Sequence, residues 1–571
     1  MRHIEVVEVG NGNRLAARFP YDPELIGIVR QVSGREWDKK LTAWTFPGTP
    51  ENVLDLMRRC PSDVDVAMTR ELRDKLNVRY RAIRDAAAIR AAGDATVEWP
   101  LRTTPYAHQR AGLAFLAKLG SGALFWEMGL GKTAGAIAYV ETLAQADPEL
   151  RVLVICPNTV KRNWLAEIEK HTGTIMGGIL EGTLAGRSAQ VKRGLSHLGR
   201  YTIVNCEALS LAPLNAALVD AGWDVVIVDE SSRFKAPGAS RTKALLRLAK
   251  RTPVRLILTG TPITGKPEDA WAQMEFVAPG MFGTWWSFLD RYLVRNPYTK
   301  AIEGVRPGMS DDLAGRVASR SYRIRKDDVL DLPPKVFEDR VVELDGTQAA
   351  AYASMKRDLR VAYEGGEIEA WNVLTQLLRL TQITAGLIGE GERYQWLATG
   401  NAKLAALDEL LNEDLAGEQV VVYGVYQREL EELSDRYDGP PKGYIVGERR
   451  PLRPIIYGPT PERVRADLIS AFQAGDRRLL FVQTHTGGIG INLTAAKTAI
   501  YYTRGWSLED WLQSQDRLHR IGQRGTVTIV SLVAKGTVDE QIAKALAAKQ
   551  NVADMLTGDA LRQLTATVLE R

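Results

Sequence analysis

The sequence predicts an α/β protein in which two halves, each built on a parallel sheet, follow a small α+β module. Short, nearly all-apolar runs alternate with helical patterns from about residue 96 onward. Such runs are typical of strands that are buried on both faces of a parallel sheet. A glycine-rich loop at residues 127–133 joins one of these runs to a helical pattern. The chain has 571 residues, which is enough for about three or four domains.

The first 95 residues predict the separate α+β module. Residues 13–19 are typical of a strand, and the pair Asp22-Pro23 favours the start of a helix. A stretch rich in alanine and arginine at residues 68–92 predicts a long helix that leads into the next domain. We therefore expect the module and its linker helix to occupy residues 1–95.

The two α/β halves are expected at residues 96–335 and 336–571. The strands predicted in the first half are Ala123–Trp126, Val152–Ile155, Thr202–Val204, Val225–Val228 and Leu256–Leu258. Those predicted in the second half are Val420–Tyr423, Leu479–Val482, Ala499–Tyr502 and Val527–Val530. Residues 266–335 predict helices and connecting loops, and residues 438–461 predict a loop.

Composition excludes several classes of protein. The chain has 74 basic and 69 acidic residues, and its net charge of +5 permits a polyanionic partner without requiring one. The three cysteines show neither zinc spacing nor a disulfide pattern, which favours a reducing, cytosolic compartment. No apolar stretch approaches the ~20 residues of a membrane span, and the N-terminus does not resemble a signal peptide. We expect a protein with no membrane partner.

The glycine-rich loop has the pattern of a phosphate-binding loop. Gly129 and Gly131 allow the backbone to approach phosphate oxygens, and the following helix N-terminus favours an anion. Lys132 can reach the β- and γ-phosphates, and the Thr133 hydroxyl can ligate Mg²⁺. We expect the nucleotide to contact residues 128–133, which include Met128 and Leu130. Trp126 stands where the full pattern has a further glycine.

A pair of carboxylates, Asp229 and Glu230, follows the predicted strand at residues 225–228. The carboxyl ends of strands are where open α/β sheets bind ligands. Asp229 is a candidate ligand of Mg²⁺, and Glu230 is a candidate base that orients and deprotonates a water molecule. Adjacent carboxylates are also common on ordinary surfaces, so the pair gains meaning only from its order after the phosphate loop.

That order of motifs resembles the superfamily 2 helicase-like ATPases, and among them the Swi/Snf-type double-stranded-DNA translocases. The resemblance spans about residues 100–550. In the first half it includes Pro105-Tyr106-x-x-Gln109, Glu127–Thr133, Cys156-Pro157-Asn158, Asn205-Cys206-Glu207, Asp229–Lys235 and Leu258–Pro262. In the second half it includes Arg325–Val329, Thr484–Thr494 and Gln513–Gln523.

The resemblance implies two RecA-like lobes that face each other across an ATP cleft. It makes Gln109 an adenine-reading residue, places Gly490 at the nucleotide, and makes Arg517 and Arg520 arginine fingers. A guanidinium offers a permanent charge and planar donors to the γ-phosphoryl oxygens as negative charge spreads over them. The alternative for the two arginines is ordinary ion pairing on a helix, with Asp516 for example.

The same resemblance implies DNA contacts through backbone amides and small polar groups. The candidates are Thr159, Asn205, Thr484 and Thr494. Contacts of this kind bind phosphate and carry no sequence code, so we expect little sequence preference. The alternative for each of these side chains is a local cap or turn.

The first module resembles the HARP domain of annealing helicases. The match is carried by Phe19–Leu25 and by Arg35–Phe46, which include Trp37 and Trp44. Aromatic and basic residues interleaved in this way suit the stacking of unpaired bases. The alternative is that Trp37, Trp44 and Phe46 form the core of the module.

Two departures from the family pattern bear on the kind of motor that we expect. Ser232 stands where the family usually has histidine, so the coupling of ATPase to DNA contact could be rerouted. No histone-tail reader is visible, which favours a compact bacterial or phage-type motor. We expect such a protein in the cytoplasm and near the nucleoid, or in the nucleus of a eukaryote, and as a monomer.

The expected activity is DNA-stimulated, Mg²⁺-dependent ATP hydrolysis. It would drive translocation on duplex DNA, or remodelling and annealing of branched DNA such as replication forks in DNA repair. One alternative is a strand-separating helicase that acts on DNA or RNA. Another is a DNA clamp or scaffold that is gated by ATP without hydrolysing it.

Overall fold

The computed structural model describes residues 2–10, 14–194, 198–364, 370–390, 393–437, 453–488 and 491–556. Gly490 and most of the predicted loop at 438–461 therefore lie outside the described residues. The chain divides into two compact units, Met1–Val329 with Asn551–Arg571 and Leu330–Gln550. None of the helices in the described ranges is both long and apolar enough to cross a membrane.

The α+β module begins the first unit. Its strands are β1 (Arg2–Val9), β2 (Arg14–Arg18), β3 (Glu36–Asp38), β4 (Ala43–Pro47) and β5 (Val64–Met68), and its helices are α1 (Pro23–Val29), α2 (Pro50–Arg59) and α3 (Arg70–Ala92). The strands form one sheet in the order β3-β4-β2-β1-β5. Asp22 caps α1 as predicted, because its carboxylate accepts from the backbone N–H groups of Glu24 and Leu25.

The rest of the first unit is built on a seven-stranded parallel sheet. Its strands, with one hairpin (β12 and β13), are β6 (Gly122–Trp126), β7 (Val152–Cys156), β8 (Gly177–Ile179), β9 (Tyr201–Asn205), β10 (Val225–Asp229), β11 (Val254–Leu258), β12 (Leu293–Arg295), β13 (Ile302–Val305) and β14 (Ser321–Ile324). The order in the sheet is β14-β6-β11-β10-β7-β9-β8. The carboxyl ends of β6, β11 and β10 are therefore neighbours at one edge.

Helices cover this sheet. They are α4 (Ala107–Leu119), α5 (Lys132–Ala144), α6 (Lys161–Thr172), α7 (Leu184–Arg193), α8 (Ala212–Asp220), α9 (Ser240–Ala249), α10 (Asp269–Val277), α11 (Trp285–Tyr292), α12 (Ser310–Ser319) and α13 (Lys326–Val329). The central strands β7 and β10 are almost wholly buried, which explains why their sequences are continuous apolar runs.

The second unit has a six-stranded parallel sheet. Its strands, with the hairpin β16 and β17, are β15 (Lys335–Val342), β16 (Leu387–Glu390), β17 (Arg393–Trp396), β18 (Val420–Gly424), β19 (Ile455–Ile456), β20 (Leu479–Gln483), β21 (Thr498–Tyr501) and β22 (Val527–Ala534). The order is β15-β22-β21-β18-β20-β19. Its helices are α14 (Gly346–Glu364), α15 (Ala370–Thr384), α16 (Ala402–Glu409), α17 (Gln427–Tyr437), α18 (Glu462–Ala474), α19 (Leu508–Gln515) and α20 (Val538–Leu556), of which α20 continues past Gln550 into residues of the first unit. The α/β fold with two parallel sheets is thus confirmed.

The module is joined to the seven-stranded part by a largely buried network of ion pairs. Arg291 on α11 binds Asp55 on α2 at 2.8 Å, and its other terminal nitrogen lies 3.2 Å from Asp312. Arg316 on α12 reaches both carboxylates, at 3.6 Å and 3.2 Å. Both arginines and Asp55 expose 12% or less of their side chains, so solvent screens these charges little.

A close backbone contact adds to this junction. Gly34 of the module faces Gly283, and a Cβ built on Gly283 would lie 2.3 Å from the Gly34 backbone. Both glycines have positive φ, so their backbone conformation as well as the lack of space requires glycine. Below, the junction means the contact surface between the module, through Gly34, α2 and α3, and the seven-stranded part.

Candidate active site

The predicted phosphate loop lies at the carboxyl end of β6. Gly129 and Gly131 both have positive φ, and Gly131 caps the N-terminus of α5. The Lys132 ammonium group donates to the carbonyl oxygens of Trp126 at 2.9 Å and of Glu127 at 3.4 Å. The lysine side chain is thus held over the loop. The backbone N–H groups in the first turn of α5 point out of the helix, toward the position of a bound anion. Met128 and Thr133 are half-buried, and Leu130 is buried.

Trp126 explains why the loop departs from the full glycine pattern. Its ring is fully buried and packs between α4 and α5. A Cβ built on Gly112 of α4 would lie 2.3 Å from the ring, and one on Gly135 of α5 would lie 3.2 Å from it. Tyr322 on β14 meets the same ring edge to face. A large aromatic side chain and two helix glycines therefore fill this space together, beneath the loop.

Gln109 lies against the phosphate loop. Its side-chain oxygen accepts from the Tyr106 backbone N–H at 2.9 Å, and its amide nitrogen lies 3.5 Å from the Leu130 carbonyl. A Cβ on Gly131 would come within 2.2 Å of that nitrogen. The neighbouring His108 also contacts the Leu130 carbonyl, at 2.9 Å, and burial lowers its pKa. A neutral imidazole and an amide thus position the loop from α4.

Asp229 ends β10 with both carboxylate oxygens engaged. The Trp164 indole donates to one oxygen at 2.9 Å, and the Glu230 backbone N–H donates to the other at 3.0 Å. Burial raises the pKa of Asp229, and the positive charge of Lys132 opposes that rise. The carboxylate is therefore costly to ionise in the folded protein unless a cation adds to the charge of Lys132.

Glu230 adopts a left-handed backbone conformation, with φ 50° and ψ 57°. Such a conformation is uncommon outside glycine and costs about 1–2 kcal/mol. The next residue, Ser231, donates to Gln273 of α10 at 2.7 Å, and the Gln273 amide donates to the Pro262 carbonyl. Ser232, at the position where the family usually has histidine, is buried. The acidic turn is therefore tied to the segment after β11.

The end of β11 meets the phosphate loop. A Cβ on Gly260 would be in ordinary contact, at 3.4–3.5 Å, with the backbone of Trp126, Glu127 and Met128. Arg323 on β14 donates to the Gly260 carbonyl at 2.8 Å. Three predicted segments, the phosphate loop, the acidic turn and the Thr259–Pro262 turn, are thus brought together at one edge of the sheet.

The residues predicted for Mg²⁺ have suitable chemistry. Thr133 and Asp229 offer a hydroxyl and a carboxylate oxygen, and Mg²⁺ is commonly held by one or two such groups together with substrate phosphates. The buried carboxylate of Asp229, raised in pKa and facing the charge of Lys132, would gain from a further cation. Across the described ranges no three His, Cys, Asp or Glu side chains gather into a metal site made by protein ligands alone.

In the second unit Arg517 and Arg520 follow α19. Arg517 is buried, whereas Arg520 is half-buried and its guanidinium makes no hydrogen bond or ion pair with the residues that the structure describes. His519 between them contacts the Pro333 carbonyl at 2.8 Å. The Gln523 amide donates to the Ala496 carbonyl at 2.9 Å and accepts from the backbone N–H of Arg524. The predicted motif is therefore a tightly bonded turn that presents Arg520.

The candidate DNA contacts differ in exposure. Thr159 is exposed at the start of the turn before α6, and Asn205 is half-buried with its amide donating to Glu207 at 2.8 Å. Thr494 is half-buried. Thr484 is buried, and its hydroxyl donates to the Gly424 carbonyl at 3.0 Å. This bond joins Thr484 to a residue 60 positions away, so it is neither the local cap nor the local turn given as the alternative.

The module aromatics do not share one role. Phe46 is fully buried and belongs to the module core, whereas Trp37 is 47% exposed. Trp44 is half-buried and meets Trp37 edge to face, with ring centroids 5.4 Å apart. The Arg30 guanidinium lies over the Trp44 ring at 5.4 Å. Trp37 and Trp44 therefore form, with Arg30, a partly accessible aromatic and cationic patch on the edge strand β3 and its neighbour β4, and Trp44 also packs against the module core.

Sequence reasoning missed the residues that support the site. Neither Trp164, the hydrogen-bond partner of Asp229, nor Gln273 was predicted as part of the site. His108 gave one usable signal, since it directly precedes Gln109 in a motif that binds the loop. Gln273 gave none, because an amide on a helix has no pattern of its own.

Two family models match the chain. An SNF2-related domain matches residues 108–386, and a helicase conserved C-terminal domain matches residues 402–522. Together they cover more than two thirds of the sequence. The HARP-like resemblance of the first module lies outside both matches.

Curated relatives are similar over most of the chain. The putative ATP-dependent helicase/translocase YwqA of Bacillus subtilis is 26% identical over 462 residues, covering 78% of this chain and 47% of that protein. The DNA annealing helicase and endonuclease ZRANB3 of Mus musculus is 27% identical over 490 residues, covering 82% and 42%. The ISWI chromatin-remodeling complex ATPase ISW1 of Saccharomyces cerevisiae is 27% identical, covering 74% and 37%. The chain spans less than half the length of each of these relatives.

Among solved structures, the Sulfolobus solfataricus SWI2/SNF2 ATPase core in complex with dsDNA is 25% identical with a TM-score of 0.39, covering 82% of this chain and 96% of that chain. The chain therefore carries an SNF2-related domain that is followed by a helicase conserved C-terminal domain.

Proposed function

We propose that this protein is a DNA-dependent ATPase that translocates on duplex DNA. The observation that carries the proposal is the convergence of Lys132, Asp229 and Glu230 at the carboxyl ends of β6 and β10, the two strands that flank β11 in the seven-stranded sheet. A cation above a glycine loop, a buried carboxylate and a strained acidic residue are the parts that phosphoryl transfer needs from one domain.

Each residue has a role in the proposed reaction. The loop backbone and Lys132 bind the β- and γ-phosphates, and Gln109 contacts the base from α4. Thr133 and Asp229 would hold Mg²⁺, which neutralises charge on the phosphates when it is bound. Glu230 orients the attacking water and accepts its proton. We retain Arg517 and Arg520 as the arginine fingers that the family resemblance implies.

DNA is the proposed activator of the ATPase. The matched SNF2-related domain and the relatives, which include a putative helicase/translocase and a DNA annealing helicase, favour DNA over RNA. The exposed Trp37 and the half-buried Trp44, with Arg30 over the Trp44 ring, favour branched DNA with unpaired bases, since aromatic rings stack on bases regardless of sequence. The finer proposal is remodelling or annealing at forks.

The first test is the rate of phosphate release with single-stranded, duplex and forked DNA and with RNA. We expect duplex or forked DNA to stimulate the rate. Lys132→Ala should lose the anion-binding cation and Glu230→Gln the base, so each should lower turnover by at least about 10³-fold. Lys243→Ala, an exposed lysine on α9, should retain it.

The same reagents separate the alternatives. Normal turnover in Lys132→Ala or Glu230→Gln would refute the site. A protein that binds DNA and ATP but releases no phosphate would be a clamp. Separation of blunt duplexes in an unwinding assay, with no annealing of strands coated by a single-strand-binding protein, would identify a strand-separating helicase.

A further inference from the structure

A cavity lined by positively charged side chains lies at the junction between the module and the seven-stranded part. Its volume is about 400 Å³. On one side it is bounded by α3 and the start of α2, and on the other by residues just before β6 and β11. It therefore opens at the amino ends of two strands, while the phosphate loop follows the carboxyl end of β6. The five residues of β6 separate the two places by roughly 16 Å.

Four cationic side chains line this junction cavity, namely Arg79, Lys118, Arg255 and Arg320. No carboxylate is found among the described residues that line it. Like charges that line one cavity repel each other, and the repulsion is stronger where solvent is partly excluded. Such a cluster costs free energy unless an anion is present.

The existing contacts leave donors unused. Arg79 donates to the Gly48 carbonyl at 3.0 Å, and the terminal nitrogens of Arg255 donate to backbone carbonyls. The Nε atoms of Arg255 and Arg320 are buried and find no acceptor among the described residues. Lys118 is exposed and forms no ion pair within the described part of the chain.

Nearby carboxylates compensate only part of this charge. Glu51 binds Arg320 at 3.0 Å. Glu275 accepts from the Gly280 backbone N–H, and burial raises its pKa to about 7, so it carries only part of a charge near neutral pH. Burial and the charge of Arg320 both lower the pKa of Arg255, in keeping with an excess of positive charge.

We propose that the junction cavity binds a phosphate group, bridged between Arg79 of the module and Lys118 of the seven-stranded part. Guanidinium groups match the geometry of phosphate oxygens, and an ammonium group adds a point charge. The phosphate can come from a small anion such as pyrophosphate or from the backbone of DNA. Because the site joins two parts of the first unit, its occupancy would strengthen the junction.

The test uses the full chain with Lys132→Ala, so that the phosphate loop contributes little to anion binding. Pyrophosphate binding is measured by calorimetry at constant ionic strength. We expect Arg79→Gln with Lys118→Gln to weaken it at least about tenfold, since two of four cations are lost. The matched control is Arg81→Gln, which removes an exposed arginine on the same helix outside the cavity and should leave the affinity unchanged.

A second arm identifies the source of the phosphate. Duplex DNA binding is measured for the same variants across a salt series. If the double variant weakens DNA binding and reduces its salt dependence, the backbone phosphate occupies the site. If only pyrophosphate binding falls, the ligand is a small anion.

The proposal is overturned if the double variant binds both ligands as its parent does, or if Arg81→Gln has the same effect. Thermal unfolding without ligand shows that each variant is folded. A Tm increase with pyrophosphate that survives in the double variant would likewise contradict the site. These outcomes are independent of ATP hydrolysis, so they do not depend on the proposed function.

Discussion

At the scale of single residues, Glu230 is held in a conformation that favours glycine. Glu230, with its left-handed φ, directly follows the last residue of β10 in the sequence. The hydrogen bond between Ser231 and Gln273 fixes the turn after it. Strain of this kind is retained where the surrounding structure enforces it, and it is frequent at functional sites. The position of the carboxylate thus has a measurable cost in stability.

Replacing Glu230 by glycine should therefore raise the free energy of unfolding by about 1 kcal/mol, while turnover is lost. Glu230→Gln keeps the strained backbone and should lose turnover without this gain. Thermal and urea unfolding of the three proteins without nucleotide measures the difference. An equal or lower stability of Glu230→Gly relative to Glu230→Gln would show that the turn is not strained.

Asp229 predicts a dependence of stability on pH. Because burial raises its pKa in the folded protein, its contribution to stability is full below the ordinary pKa of aspartate and is lost as pH rises through the raised value. Asp229→Asn stays neutral and can still accept from Trp164. We expect its Tm advantage over the parent, without nucleotide or Mg²⁺, to grow as pH rises above the ordinary pKa of aspartate, ~3.9. A Tm difference that stays constant with pH would mean that the pKa of Asp229 is not raised in the folded protein.

At the scale of elements, the site depends on how α4, β6 and α5 pack around Trp126. The indole occupies space that a single methyl group on Gly112 would fill, so helix and strand are matched in volume. Interiors packed to this density do not absorb added atoms without shifts. Because β6 leads directly into the phosphate loop, such shifts would displace Lys132.

Gly112→Ala should destabilise the protein by about 1–3 kcal/mol and weaken ATP binding. Gly315→Ala is the matched control, since Gly315 lies in helix α12 with nothing within 4 Å of an added Cβ. There alanine should stabilise by up to about 1 kcal/mol through its higher helix propensity. Unfolding and nucleotide binding of both variants provide the comparison. A neutral Gly112→Ala would mean that Trp126 readily moves aside.

Sequence patterns predicted elements better than connections between them. The strands predicted at 152–155 and 225–228 and the helix predicted at 68–92 were confirmed, as Val152–Cys156, Val225–Asp229 and Arg70–Ala92, because apolar continuity and helical period are local properties. Strands β1 and β5 and helix α2 of the module were missed, as were the strands within 266–335. The long mixed sequence of β1 has charged residues on its exposed face, and β14 is only four residues long.

The site was likewise predicted better in its parts than in their connections. The predicted motif residues of the seven-stranded sheet lie together in the structure, because the carboxyl ends of its parallel strands share one edge. The buried partners Trp164 and Gln273, and the pairing of Trp126 with Gly112, join segments far apart in sequence. Only the folded chain places such groups in contact, and no periodicity signals it.

At the scale of the whole molecule, the junction makes the module part of the first unit. Arg291 contacts Asp55, Asp312 and the Gln31 carbonyl, so one guanidinium joins α2 to α11 and α12. Removing one partner of a buried ion pair leaves an uncompensated charge. The junction should therefore depend strongly on this residue.

Arg291→Met is expected to cost about 3–5 kcal/mol and to make the segment after α3 sensitive to protease. Arg295→Met removes a more exposed pair with Asp290 and should change stability by less than about 1 kcal/mol. Limited proteolysis with mass spectrometry, beside thermal unfolding, measures both. Equal behaviour of the two variants would show that the network does not hold the module in place.

The glycine contact at Gly34 and Gly283 has a practical consequence for following this protein at work. With no room there for even one extra carbon, we expect the amino-terminal sheet to move together with the rest of the first unit. A dye attached to the exposed Tyr21 position, through Tyr21→Cys, would report on displacements of the entire first unit. Single-molecule recordings of ATP-driven steps could use that label without disturbing the nucleotide loop.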